Sequence, residues 1–177
     1  MLEFGDLNQT LANVIISPEW EGLQSAFNDA KHIFVVGHGG NLAVADHAAV
    51  DISRLTRSTK TTYSPGSAVV ATSLINDTSF DDWLCGWFKN YATNLSASEC
   101  LIIGISSSGR STDIFRLFEY ARGLSVITSL ITAKASNICS DHEIITACDS
   151  YHASEVIALA LSYQLIHGYG YQCPSIK

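Results

Sequence analysis

The fold of this protein is decided by residues 33–54, which read IFVVGHGGNLAVADHAAVDISR. The β-branched apolar run at 33–36 predicts a buried strand, and GHGG at 37–40 predicts a tight turn. A helical pattern follows at once. A strand, a glycine turn and a helix in this order present backbone N–H groups to an anion in open α/β sheets. The stretch therefore predicts an anion-binding turn, with close packing of helix on strand as the purely structural alternative.

Two side chains on the predicted helix indicate acid–base chemistry. His47 and Asp51 are four residues apart, so they share one helix face. An imidazole beside a carboxylate can move protons to and from a substrate. The structural alternatives are an ordinary helix carboxylate and a buried, hydrogen-bonded histidine.

A second strand–loop–helix unit begins at residue 100. The run CLIIGI at 100–105 predicts a buried strand, and SSSGRST at 106–112 follows it before a helical pattern resumes at Ile114. Serine hydroxyls and the N–H groups of a helix start are suitable donors for a phosphate monoester. A serine-rich helix cap is the alternative. Both loops leave the carboxyl ends of strands in one sheet, so we expect them to share one crevice.

The rest of the chain alternates helices and strands. We expect helices over 2–16, from Ser17-Pro18 to residue 30, from 79 to 91 and over 153–167, with strands at 125–132 and 141–146. Residues 56–66 predict a turn-rich connection, 67–74 either a strand or a short helix, and Asn76-Asp77 a turn. This alternation predicts one α/β domain, a three-layer α-β-α sandwich with a parallel flavodoxin-like or Rossmann-like sheet and added N-terminal helices.

Composition excludes several classes of protein. Of the 177 residues, 47% are apolar, and the net charge of −7 argues against a general nucleic-acid binder. No apolar run is long enough for a membrane span, and MLEFGDLNQT lacks signal-peptide features, so we expect a cytoplasmic protein without membrane contact. The five cysteines form no CxxC and predict reduced, mostly buried thiols. Leu42 breaks a GxGxxG pattern and no GxxxxGK[ST] loop occurs, which argues against NAD and ATP sites.

The sequence resembles the sugar isomerase (SIS) phosphosugar-binding family in three motifs: GHGGN at 37–41, ADHAAVD at 45–51 and ISSSGRS at 105–111. Within that family it is similar to the sedoheptulose 7-phosphate isomerases, which carry a GNGGS turn, a His-x-x-x-Glu helix and an STSGNS loop. The resemblance covers nearly the whole chain. It implies a phosphate site, a sugar site and two catalytic residues. The phosphate would bind Ser106, Ser107, Ser108 and Ser111; the sugar would contact Gly39, Gly40, Asn41, Asn76, Asp77 and Glu155; Asp51 would be the base and His47 its partner.

Three positions depart from the family pattern. Asp51 is one methylene shorter than the family glutamate, so its carboxylate falls short by about 1.5 Å, and even about 1 Å of misplacement matters greatly in catalysis. Ser162 stands where the family has the histidine that acts as general acid; His167 lies about 140° further round the helix, and His152 is nearer the crevice. Arg110 replaces an asparagine and would either strengthen phosphate binding or exclude a sugar tail.

The resemblance implies a ketose–aldose isomerase working through a cis-enediol. The alternative is a non-catalytic phosphosugar sensor or interaction module; a third is another enzyme on the same scaffold. The family also implies a homo-oligomer, commonly a tetramer, whose site is completed at the subunit interface. Residues 1–31 would then serve oligomerisation, and residues 32–177 would form the phosphosugar-binding core. No cofactor is expected; zinc occurs in some relatives, but His47 and Asp51 alone make a poor zinc site.

Overall fold

The computed structural model describes residues 6–176. The start of the first predicted helix, at 2–5, lies outside the described residues. Within them the helices are α1 (Leu7–Ile15), α2 (Pro18–Asp29), α3 (Gly40–Leu55), α4 (Ala68–Asp77), α5 (Trp83–Ala92), α6 (Thr112–Gly123) and α7 (Tyr151–Gly168). The strands are β1 (His32–Gly37), β2 (Thr61–Tyr63), β3 (Cys100–Ile105), β4 (Ile127–Thr132) and β5 (His142–Ile145).

The strands form one parallel sheet in the order β2-β1-β3-β4-β5. This is the flavodoxin-like order, in which the chain reverses its direction of winding between β1 and β3. Ile33 pairs with Leu101 and Gly37 with Ile105, so β1 and β3 end level with each other. The predicted parallel α/β sheet is confirmed, and its switch point lies where the two predicted anion loops begin.

Helices cover both faces of the sheet and give two hydrophobic cores. On one face α2, α3 and α7 bury residues such as Phe27, Ile52 and Leu161. On the other, α5 and α6 bury residues such as Trp87 and Phe118. Burial on both faces explains why β1 and β3 read as continuous apolar runs. The three-layer prediction is therefore confirmed, and α2 belongs to the chain's own core.

Three local predictions are resolved or corrected between residues 56 and 77. Thr61–Tyr63, predicted as part of an irregular connection, is the edge strand β2, which carries too short and too polar a pattern to be recognised. Residues 68–77 are the helix α4, which settles the choice between strand and helix. The predicted turn at Asn76-Asp77 is wrong, because α4 continues to Asp77 and Thr78 then ends it with a 2.7 Å hydroxyl bond to the Leu74 carbonyl.

Candidate functional site

The two predicted loops meet in one cleft of about 320 Å³ at the β1/β3 switch point. Its glycine turn (residues 37–40) follows β1, and its serine loop (residues 106–111) follows β3. Adjacent parallel strands deliver both loops to the same sheet edge. The cleft is lined by His38, Gly39, Gly40, Asn41, Ile105, Ser106, Ser107, Ser108, Ser111, Tyr151 and Glu155.

The serine loop is shaped to present donors. The hydroxyls of Ser106 and Ser111 lie 2.9 Å apart at the start of α6. The backbone N–H groups of Ser107 and Ser108 donate to no protein acceptor among residues 6–176. Gly109 has φ +63°, and a side chain there would overlap Ser136. Free amides, hydroxyls and a helix N-terminus together favour an anion such as a phosphate.

Asn41 lines the same cleft and has one buried acceptor without a partner among the described residues. Its side chain is only 7% exposed, and its Nδ2 donates to the Ser107 hydroxyl at 3.1 Å. Its Oδ1 is buried and has no hydrogen-bond partner in the part of the chain that the structure describes. A buried acceptor without a donor costs about 1–3 kcal/mol, so a ligand hydroxyl that reached this oxygen would relieve that cost.

Glu155 reaches the cleft from α7. A side chain on Gly40 would overlap the Glu155 carboxylate, so this carboxylate lies directly over the first turn of α3. Proximity to a helix N-terminus stabilises its negative charge. His152 Nδ1 lies 3.7 Å from Glu155 Oε2, but His152 itself is outside the cleft lining.

His38 is a cleft residue that the motifs did not single out. Its Nε2 lies 2.9 Å from Oδ1 of Asp113 and 2.8 Å from Oδ2. Asp113 is fully buried in the first turn of α6 and also accepts a 2.8 Å hydrogen bond from Trp83 Nε1. The histidine is visible in GHGG, but its partner lies 75 residues away, so only the tertiary structure reveals the pair.

His47 and Asp51 form the predicted pair but do not line the cleft. His47 Nε2 lies 3.1 Å from Asp51 Oδ2, which confirms that they share a helix face. They stand seven and eleven residues beyond Gly40, roughly 10 and 16 Å along α3. Because α3 leads away from the sheet edge that holds both loops, the pair lies further along the helix than the cleft lining, and its catalytic role stays a prediction.

Two further side chains complete the Asp51 cluster. Arg54 donates to Asp51 Oδ1 at 2.8 Å, and the Tyr163 hydroxyl, which the sequence did not indicate, donates to Oδ2 at 3.0 Å. Burial raises the pKa of Asp51, but the bonds from Arg54 and Tyr163 and the charge of His47 lower it by more, so the net pKa is below its ordinary value. Burial, followed by the bond to Asp51, raises the pKa of Tyr163.

The remaining candidate residues lie elsewhere. Asn76 and Asp77 are exposed at the end of α4 and do not line the cleft. Arg110 lines a neighbouring pocket of about 240 Å³ together with Lys134. The Ser162 hydroxyl donates to the Leu159 carbonyl at 2.7 Å, so the position of the family acid carries a hydroxyl that the backbone already uses.

The donor set around His47 does not fit a zinc ion. Within residues 6–176, three or more His, Cys, Asp or Glu side chains nowhere converge as a metal site. His47 and Asp51 supply two ligands, whereas zinc is bound by three or four protein groups.

All five cysteines are free, and three of them are buried. Among the described helices, none is both long enough and apolar enough to cross a bilayer.

The chain is similar in sequence to phosphoheptose isomerases. The protein of that name from Chlorobium limicola is 28% identical over 125 residues, covering 67% of this chain and 56% of that protein. The one from Aliarcobacter butzleri is 26% identical over 170 residues, covering 87% of each chain. The match with the Chlorobium protein thus spans little more than half of its length. No family model matches the chain.

The fold is shared with solved structures of the same kind. A phosphoheptose isomerase from Francisella tularensis superposes with a TM-score of 0.73 over 91% of both chains, at 16% sequence identity. At that identity the superposition establishes the common fold, and the sequence matches add the relationship. The chain therefore shares its fold with solved phosphoheptose isomerases and is similar to proteins of that name in sequence.

Proposed function

We propose that residues 1–177 act as a single SIS domain that interconverts a ketose phosphate and an aldose phosphate through a cis-enediol. One observation carries this proposal: a loop of free amides and hydroxyls stands beside the buried, unpartnered Oδ1 of Asn41. The first suits a phosphate, and the second suits a sugar hydroxyl. The names of the sequence relatives favour a heptulose 7-phosphate as the substrate.

In this proposal the serine loop contacts the phosphate end of an open-chain sugar, and the catalytic pair contacts the carbonyl end. The serine loop and the N-terminus of α6 hold the phosphate, while Gly39, Gly40 and Glu155 line the sugar next to it. Asp51 removes the proton from the carbon next to the carbonyl, and His47 assists it. The lowered pKa of Asp51 leaves its carboxylate ionised at neutral pH, which is the form that accepts a proton.

We propose further that the active form is a homotetramer with the site at a subunit interface. The helix α4 buries none of its residues within the chain, although it carries Val69, which is 76% exposed. On α3, Val50 is exposed immediately before Asp51. A second copy covering α4 and this part of α3 would remove apolar surface from water. Residues 1–31 would contribute to the same assembly, and the free thiols suit a cytoplasmic location.

The decisive measurement is solvent-deuterium incorporation into sedoheptulose 7-phosphate, followed by NMR. Wild-type protein should exchange the proton on the carbon next to the carbonyl, and Asp51→Asn should reduce the exchange rate by at least about 100-fold. Glu119→Gln removes an exposed carboxylate on α6 and serves as the matched control. Tight binding of the sugar phosphate by wild-type protein without any exchange would contradict an isomerase and leave the sensor.

A further inference from the structure

We propose that His38 is the residue that transfers protons to and from the substrate oxygens in the cleft, and that Asp113 is its positioning residue. This rests on the proposed isomerase function and names a proton donor that its sequence motifs do not supply. His38 is half-buried, lines the cleft beside Asn41 and the serine loop, and makes a double contact with Asp113.

The surroundings of Asp113 fix the tautomer of His38. Asp113 accepts hydrogen bonds from Trp83 Nε1 at 2.8 Å and from the Ile114 amide at 2.9 Å. A buried carboxylate with these donors offers only acceptors to a third partner. The proton must therefore sit on Nε2 of His38. Its Nδ1 is left with no hydrogen-bond partner among residues 6–176, so it can accept a proton from a ligand or return one.

The same carboxylate holds the ring in place. Asp113 is 0% exposed and its Oδ2 lies 2.8 Å from Nε2 of His38. An aspartate that orients a histidine and stabilises the imidazolium is a recurrent catalytic arrangement. Phe80 stacks on the ring at 5.8 Å between centroids and limits its rotation. The other ionisable groups lining the cleft are Glu155 and Tyr151, both from α7.

The isomerisation needs such a group in the cleft. The base and His38 must reach adjacent atoms of one sugar, so the base is Asp51 of a second copy at the proposed subunit interface. When this base takes the proton from carbon, the C–H electrons form the enediol double bond, and the ring, with Nδ1 protonated, gives that proton to the carbonyl oxygen. In the second half, Nδ1 takes the proton from the neighbouring hydroxyl, and the base returns its proton to the other carbon. The ring and the base end as they began. Ser162 cannot supply this proton in the described arrangement, because its hydroxyl bonds to Leu159.

The test separates binding from proton transfer in three proteins: wild type, His38→Gln and the control His167→Gln, which removes an exposed histidine in the last turn of α7. Glutamine keeps an N–H for Asp113 but cannot titrate. Binding of sedoheptulose 7-phosphate is measured by calorimetry, and its solvent-deuterium exchange by NMR. We expect His38→Gln to bind within threefold of wild type and to exchange at least about 100-fold more slowly, with His167→Gln unchanged.

A second measurement tests the positioning role of Asp113. Nitrogen-15 NMR of histidine-labelled wild-type protein should report the Nε2–H tautomer of His38, and Asp113→Asn should mix the tautomers and reduce kcat more than it changes KM. Exchange by His38→Gln at the wild-type rate, or a parallel loss of binding and exchange, would overturn the proposal for His38 alone. No exchange by wild-type protein would overturn the isomerase function itself, and with it this inference.

Discussion

The hydroxyl of Tyr163 donates a 3.0 Å hydrogen bond to Oδ2 of Asp51 and thereby joins α7 to α3. The same hydroxyl lies 2.9 Å from Nε2 of His47. Tyr163 follows Ser162, the position where the family carries its acid. The terminal helix therefore still reaches the Asp51 cluster, but it does so through a phenol whose pKa is raised by burial and by Asp51 itself.

Tyr163→Phe should raise the pKa of Asp51. The variant removes one of the hydrogen bonds that hold this pKa below its ordinary value and leaves the ring packing in place. The acid limb of the pH–rate profile, or the carboxyl carbon-13 shift of Asp51, should therefore move to higher pH. Tyr91→Phe, on the exposed side of α5, is the control. An unchanged Asp51 titration would show that the Tyr163 bond has no effect on its ionisation.

Lys60 should make folding stability depend on alkaline pH. Its side chain is 2% exposed, its Nζ donates to the carbonyls of Asn28 and Ala30, and it lies 4.0 Å from the ring centroid of Tyr169. Burial lowers the pKa of Lys60 to about 8, against a smaller opposite effect of Asp29. Between about 8 and the ordinary 10.5 the unfolded chain binds more protons, so stability rises with pH in that interval.

The comparison of wild-type protein with Lys60→Gln isolates this effect, because glutamine stays neutral at every pH. Urea titrations give the free energy of unfolding of each protein. The value for wild type minus the value for Lys60→Gln should increase by about 3 kcal/mol between pH 8 and 10.5. Other groups that titrate in this range, such as Cys85, cancel in the difference. A difference that stays constant with pH would contradict the lowered pKa.

Gly40→Ala should weaken ligand binding with little effect on stability. The new methyl group would occupy the place of the Glu155 carboxylate, and this flexible side chain can move aside. Displacing it changes the sugar side of the cleft. Glu155→Ala should weaken binding similarly, and the double variant should be no worse than either single one, because both remove the same contact. Additive losses measured by calorimetry would mean that the two residues act separately.

Asn41→Leu should lose ligand affinity while keeping its stability. The substitution removes the bond to Ser107 but also removes a buried acceptor without a donor, and these effects on folding oppose each other. A lost hydrogen bond to a sugar hydroxyl should weaken binding about tenfold, since about 1.4 kcal/mol corresponds to a factor of ten. Thermal unfolding and calorimetric titration with sedoheptulose 7-phosphate measure the two effects. Unchanged affinity would exclude Asn41 from the sugar site.

Val69→Lys should dissociate the proposed oligomer without unfolding the chain. Val69 is exposed on α4, so a lysine there costs nothing in the isolated subunit but places a charge in an apolar contact between copies. Light scattering coupled to size exclusion should report the wild-type oligomer and a smaller species for the variant. Asn90→Lys, which adds a charge at an exposed position of α5, tests whether any added charge has this effect. A monomeric wild type would contradict the assembly.

Much of the architecture follows from local sequence. The runs in β1 and β3 are apolar over five and six residues because both faces of each strand are covered. Helical spacing predicted α2, α3, α6 and α7. The motifs also located the cleft, because loops after parallel strands meet at one sheet edge. The local sequence did not predict the polar strand β2 or the helical end of α4, because the patterns there are weak.

The sequence by itself therefore determined the parallel α/β fold, the glycine turn and the serine loop, because each depends on residues close together in the chain. Only the tertiary structure decided which side chains share a site. It separated His47 and Asp51 from the cleft along α3, gave Asp51 a partner in Tyr163 on α7, and paired His38 with Asp113. These contacts join residues 75 and 112 positions apart, and strand order and helix packing, not local pattern, set such distances.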